Sequence, residues 1–435
     1  MTQTVSPLFQ KISENVRQWR VKSYNHPDFS AISEILKFAT LDDGSFRYLR
    51  SAQLMALETY WYIRLVENTP HIFELYKKYY PDNQELSAIL GIPQKAKKAQ
   101  KIILDKGLKG LLHEVRTNQK LVRELKLEAL YETLSLDYPS YILALAMGAG
   151  KTILIGSIIA TEFALALEYP NGNFIRNALV FAPGKTIIES LKQLSEIPFN
   201  KILPPRLYKP FSANLKITFT RDGEKDIPIA KGSHFNLIVT NTEKIRIQKP
   251  TSRRKSYLQS KLKEKEEEAE AVANRRLQTI ASLPHLGVFS DEAHHTYGEE
   301  MEKELKKVRQ TVDYLHQGTN LICVVNTTGT PYYKRQPLKD VVVWYGLSQG
   351  IKDNILKEVS GNIFSYDFSD EKTRDFVRER FTGCYTGKNS PLFSSRRRFG
   401  EDKAYGRNGF GKNGIISNNC IKKYLQINSG RDRCF

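Results

Sequence analysis

Apolar positions along the chain follow two regimes. Over residues 1–135 they recur every three to four places, as at Leu54, Leu57, Trp61 and Leu65, and again through Lys95–Leu130. That is the period of one helix face, so this region is expected to be mainly helical. From Tyr141 the pattern changes to short apolar runs at Tyr141–Ala144, Ala178–Phe181, Leu237–Val239, Gly287–Phe289 and Leu321–Val325, with helix-length segments between them. Strands spaced in this way predict an α/β fold over residues 136–358, with crossover helices, a parallel sheet and ligand-binding loops at the strand C-termini. The longest apolar run, Ile153–Leu167, is interrupted by Gly156, Ser157, Thr161 and Glu162 and is expected to be a buried helix rather than a membrane span. Residues 251–276 are dense in charge and in helix formers, which suits a solvated helical insertion. Residues 359–435 lose the periodicity, turn rich in Gly, Arg and Asn, and are expected to carry little packed structure.

Charge adds a partner class. The 435 residues carry a formal net charge of +19, which favours a polyanion such as nucleic acid. Part of that excess sits in the tail, where residues 371–435 hold 15 Lys/Arg against 6 Asp/Glu. The rest includes Lys95 to Lys126, where a basic helical face is commonly just solvated. Four cysteines without C-x-x-C spacing argue for a reduced compartment and against a zinc site. The N-terminus lacks a charged segment followed by an apolar one, so a cytoplasmic location with no membrane association is expected.

Candidate chemistry lies at the predicted strand ends. Gly148-Ala149-Gly150-Lys151-Thr152 follows the first run and opens a helix near Ile153. Glycines let the backbone curl around phosphate, the lysine faces the β- and γ-phosphates, and the threonine hydroxyl suits Mg²⁺. The general phosphate loop has a glycine where this chain has Leu145. Asp291 and Glu292 end the Gly287–Ser290 run: Asp291 is placed to hold Mg²⁺, and Glu292 to orient an attacking water. His294 and His295, being adjacent and without a cysteine or H-E-x-x-H partner, are poor zinc ligands; His294 suits a hydrogen-bonded link to neighbouring loops. Thr328 and Thr330, in Thr328-Gly329-Thr330-Pro331, are placed to couple the Asp-Glu loop to movement. Pro183, Gly184, Lys185, Thr240 and Asn241 end two other strands and suit contacts to a sugar–phosphate backbone.

Together, Ala146–Thr152, Val180–Gly184, Asp291–His295 and Thr328–Pro331 resemble superfamily-2 helicases of the DEAD/DEAH-box kind, and more narrowly the restriction subunit of type III restriction enzymes. Val343–Leu347 with Ile351-Lys352-Asp353 is similar to that branch. Tyr48–Glu58 resembles the family's adenine-reading glutamine element, which would make Gln53 the adenine contact. The resemblance spans residues 45–358. It implies a RecA-like P-loop NTPase fold, ATP and Mg²⁺ as ligands, duplex DNA as substrate, and a methyltransferase (modification) subunit as partner. It also implies a second RecA-like domain with an arginine finger, whose pattern is not found after residue 358; Gln426–Arg433 has the finger motif's composition but not its spacing. The expectation is therefore a chain truncated after its first motor domain, binding ATP and turning it over slowly, because such a finger supplies roughly 10³–10⁵ in rate. Two alternatives stand beside it: a non-catalytic ATP- or DNA-binding fragment, and an RNA-directed member of the same superfamily.

Overall fold

The computed structural model describes residues 5–93, 96–182, 191–220, 227, 235–241, 245, 275–291, 302–333 and 336–356. The strands are β1 (Ser140–Leu145), β2 (Asn177–Ala182), β3 (Lys216–Phe219), β4 (Asn236–Asn241), β5 (Leu286–Ser290), β6 (Cys323–Thr328), β7 (Tyr332–Tyr333), β8 (Gln336–Pro337) and β9 (Val341–Tyr345). Seven of them form a central sheet of order β3-β4-β2-β5-β6-β1-β9, in which every neighbour pair is parallel. The other two, β7 and β8, make a small antiparallel hairpin outside that sheet. This is the parallel α/β architecture expected from the run spacing, and it agrees with the RecA-like fold that the family resemblance implies.

Before β1 the described chain is helical: α1 (Leu8–Val21), α2 (Ala31–Phe38), α3 (Ser51–Trp61), α4 (Ile72–Tyr79), α5 (Asn83–Leu90), α6 (Lys97–Thr117), α7 (Gln119–Leu125) and α8 (Glu128–Leu134). A π-helical turn at Tyr62–Val66 continues α3. Helix α9 (Lys151–Glu168) follows β1, α10 (Pro205–Asn214) precedes β3, α11 (Glu302–Thr319) precedes β6 and α12 (Leu347–Lys352) follows β9.

Strand side chains alternate between two faces, which explains why the apolar runs are continuous: both faces are covered. Tyr141, Leu143, Ala178, Val180, Leu237 and Val325 join a core shared with α9 and the N-terminal helices, reaching from Leu8 to Tyr345. Leu179, Phe181, Ile238, Val288 and Val324 face the other way, against Leu277, Ile280, Val312 and Leu315. Helix α9 is buried almost all round, from Leu154 to Ala166, which accounts for its unpatterned hydrophobicity. Inside it, Ser157 and Thr161 donate to main-chain carbonyls one turn back (2.7 and 2.9 Å), and Glu162 is held in an ion pair. No described helix is long and apolar enough to cross a membrane.

The charged insertion up to residue 274, Glu292, His294, Pro183, Gly184, Lys185 and the tail from residue 357 lie outside the described residues. Residues 275–281 are helical, and Arg276 is buried, so a solvated insertion does not extend to it.

Candidate functional site

Because the sheet is parallel, β1, β5 and β6 end on the same edge, and their C-terminal residues converge there. Leu145, the last residue of β1, is wholly buried in the core. The chain turns only after it, so the turn places no glycine requirement on that position. The turn runs from Ala146 to Gly150, with left-handed backbone at Gly148 and Gly150 (φ 82° at both), a conformation natural to glycine. Gly150 caps α9, whose first residue is Lys151. The N-terminal N–H groups of that helix face the loop, as an anion site requires.

Register sets the next contact. Ser290 of β5 pairs with Asn326 of β6, so Asp291 comes abreast of Thr327. The Thr327 hydroxyl donates to Asp291 Oδ1 at 2.9 Å. On the other side, the Thr152 hydroxyl donates to Asp291 Oδ2 at 3.2 Å. Asp291 is only 3% exposed, so a buried carboxylate joins the phosphate-loop helix to the strand leading into Thr328–Pro331. The latter segment also lies on the loop: a Cβ placed on Gly329 would sit 3.5 Å from the Leu145 carbonyl oxygen and 4.0 Å from Lys151 Nζ. Thr328 is buried, and its hydroxyl accepts from the Thr330 N–H at 3.2 Å, while Thr330 is exposed. Of the hydroxyls in this stretch it is Thr327, not singled out from sequence, that touches Asp291. Its signal was the strand register, which one sequence does not display.

Helix α3 closes the loop from the opposite side. Gln53 is 2% exposed; its Oε1 accepts from the Arg50 N–H at 2.8 Å and its Nε2 donates to the Gly150 carbonyl at 3.0 Å. Arg50 Nη1 reaches the Gly148 carbonyl at 3.5 Å. Two loop carbonyls are thus held from one helix N-terminus, and a Cβ at Gly150 would lie 2.2 Å from Gln53 Nε2. Gln53 thus sits beside the loop with both ends of its amide bonded within the protein. The Ser51 hydroxyl donates to Asp353 Oδ2 at 3.1 Å and that of Tyr345 to the same oxygen at 2.7 Å, tying α3 to the end of α12. The Tyr345 hydroxyl bond holds the Asp353 carboxyl below the usual range, while burial and that carboxylate push the Tyr345 phenol up to about 12.

Oxygen ligands from one hydroxyl and one carboxylate, beside a lysine and a glycine-lined turn, suit a hard cation that arrives with a polyphosphate. Among the described residues no group of three or more His, Cys, Asp or Glu could hold a metal by itself. Thr240, expected at the sheet edge, is wholly buried and its hydroxyl meets that of Thr220 at 2.9 Å. Asn241 ends β4 on the same edge as the loop.

A family model described as type III restriction enzyme, res subunit, matches residues 114–332. That is 219 of 435 residues, just over half of the chain, and it takes in β1, the glycine turn, Asp291 and Thr330. No curated protein matches the chain.

Proposed function

The chain belongs to the type III restriction enzyme res subunit family, and on that footing we propose that it is an ATP-driven motor domain that couples hydrolysis of ATP to ADP and phosphate to duplex DNA. Family and fold make it a helicase-type P-loop NTPase; substrate, catalysis and coupling are the proposal. The observation that carries it is the Asp291 carboxylate, bonded at once to Thr152 of the phosphate-loop helix and Thr327 of β6.

In this account the turn from Gly148 to Gly150, with Ala149, wraps the phosphates and Lys151 balances their charge. Thr152 and Asp291 would hold Mg²⁺, which neutralises charge on the β- and γ-phosphate oxygens when bound. Glu292 orients the attacking water. Thr327 registers the state of Asp291 and passes it along one strand to Thr328 and Thr330, with His294 linking neighbouring loops. Gln53 reads adenine by exchanging one of its two internal hydrogen bonds for the base edge. Thr240 and Asn241 end β4 on the loop's side of the sheet and, with Pro183, Gly184 and Lys185, suit backbone contacts; Thr240, with its hydroxyl buried, would contribute main chain only. A modification methyltransferase supplies sequence recognition.

The test is steady-state phosphate release with and without duplex DNA, comparing wild type, Lys151→Ala and a duplex RNA arm. Turnover that DNA stimulates and Lys151→Ala abolishes supports the proposal. Turnover indifferent to Lys151→Ala would overturn it, and stimulation by RNA alone would move the substrate to RNA.

A further inference from the structure

We propose that the exposed face of α6 and α7 is a second contact for the phosphate backbone of duplex DNA, mechanically joined to the hairpin that follows Thr328–Pro331. The inference rests on the DNA-coupled motor proposed above. Between Lys97 and Lys126 there are nine Lys/Arg and three Asp/Glu. Two of those acids are taken by Lys98–Glu124 and Lys106–Glu114 pairs, and Arg116 pairs with Asp137. Lys97, Lys101, Lys109, Lys120, Arg123 and Lys126 are exposed and form no ion pair among the described residues.

Four of these cations are close together for a geometric reason. The Lys98–Glu124 pair pins the start of α6 to the end of α7. Lys101 lies three residues after Lys98 and Lys120 four before Glu124, beside that pair, while Lys97 lies four before Lys101 and Arg123 three after Lys120, so each adds a neighbour to the cluster. Helix α6 kinks at Gly107 (φ 69°, ψ 178°); Ala99 is the buried residue before the kink, Leu108, Leu111, Leu112 and Val115 are buried after it, and Leu121, Val122 and Leu125 are buried on α7, while the cations stay exposed. Repulsion among clustered cations destabilises the free protein; a polyphosphate partner removes that repulsion and gains by counterion release.

The patch is also tied to the site. The Lys126 carbonyl, just past α7, accepts from Gln336 Nε2 at 3.0 Å. Gln336 pairs with Tyr333 in the β7–β8 hairpin, and the Leu338 N–H donates to the Pro331 carbonyl at 3.0 Å. DNA bearing on α7 therefore has a short bonded route to the segment lying over Lys151.

The test is fluorescence anisotropy of a labelled duplex with the full chain over a range of KCl concentrations. One variant carries Lys97→Gln, Lys101→Gln, Lys120→Gln and Arg123→Gln; a control of equal charge carries Lys22→Gln, Lys37→Gln, Lys192→Gln and Lys209→Gln. Each phosphate contact contributes about 0.9 to the slope of log affinity against log salt, so the first variant should lose about 3–4 of that slope and the control almost none. The pair Lys101→Gln and Lys120→Gln alone should lose about half as much, which guards against a folding artefact. Equal slopes in the variant and the control, or an acidic protein competing where DNA does not, would overturn the inference while leaving the motor standing. Absence of duplex binding by wild type would overturn both the patch and the DNA coupling; ATP binding on the same sample shows whether the nucleotide site survives.

Discussion

Replacing Glu162 by Gln should cost much of the stability of this fold. Glu162 is a wholly buried carboxylate in the middle of α9, and Arg64, from the π-helical turn after α3, has a side chain only 3% exposed. Glu162 Oε1 accepts from the Tyr60 hydroxyl at 2.5 Å and from Arg64 Nε at 2.7 Å. Its Oε2 accepts from Arg64 Nη2 at 3.2 Å and from the Ile175 N–H at 2.8 Å. All four partners are donors, so the amide NH₂ that this substitution introduces would face donors on whichever side it lay, and Arg64 would keep an uncompensated buried charge. Breaking a buried pair by removing one partner costs about 3–5 kcal/mol. With about 2–4 °C of Tm per kcal/mol for a domain of this size class, the expected fall is roughly 6–20 °C. Circular dichroism melts of wild type and Glu162→Gln measure it directly. The double variant Glu162→Leu with Arg64→Met, which removes both charges, should recover only the part of the loss due to the unpaired arginine, since the Tyr60 hydroxyl and the Ile175 N–H lose their acceptor. A Glu162→Gln protein within about 1 kcal/mol of wild type would refute the assignment of this network as a clamp between α3 and α9. The clamp matters to function because α3 carries Gln53 and follows Arg50, which hold the carbonyls of Gly150 and Gly148.

Thr327→Val removes a hydroxyl donated to a buried carboxylate, a bond worth about 1.5–3 kcal/mol. Mg·ATP affinity should fall about ten- to a hundredfold, and Thr328→Val, which loses only an acceptor for the Thr330 N–H, should do less; the reverse order in a nucleotide titration would contradict the role given to Thr327. Gly150→Ala combines a left-handed φ of 82° with a contact 2.2 Å from Gln53 Nε2. It should destabilise the chain by about 1–2 kcal/mol from the backbone alone and weaken nucleotide binding, measured by melting with and without Mg·ATP. Burial pushes the Asp340 carboxyl up to about 7, and its Oδ1 has no hydrogen-bond partner among the described residues. The native state then binds a proton that the unfolded chain has already lost above pH about 4, so stability falls as pH rises from there to about 7. Asp340→Asn should therefore stabilise the protein at pH 8, by up to about 4 kcal/mol, and change little at pH 4; an equal effect at both would refute the assignment.

Much of this architecture was visible in residue order. The five apolar runs became β1, β2, β4, β5 and β6, because strands buried on both faces leave uninterrupted hydrophobic stretches. β3 lacks that signal, because Lys216–Phe219 is an edge strand with exposed and half-buried residues. β9, Val341–Tyr345, is an edge strand bonded to β1 and overlaps the family-like segment Val343–Leu347. β6 runs from Cys323 to Thr328, so Asn326 and Thr327 belong to the strand rather than to the loop after it. That boundary decided which threonine meets Asp291, since burial of Thr327 in the sheet is what brings its hydroxyl to the carboxylate. The glycine turn and Asp291 were legible because their chemistry is local. The contacts from Gln53 to Gly150 and from Glu162 to Arg64 join residues 97 and 98 positions apart, and no short-range pattern encodes them.

In the proposed motor Lys151, Thr152 and Asp291 form one Mg·ATP site. Isothermal titration of wild type, Lys151→Ala and Asp291→Asn with ATP, with and without Mg²⁺, tests it most directly. Wild type should bind ATP in a Mg²⁺-dependent way, Lys151→Ala should bind about ten- to a hundredfold more weakly, and Asp291→Asn should lose the Mg²⁺ dependence. Wild-type affinity retained in both variants, or no ATP binding by the wild type, would contradict it.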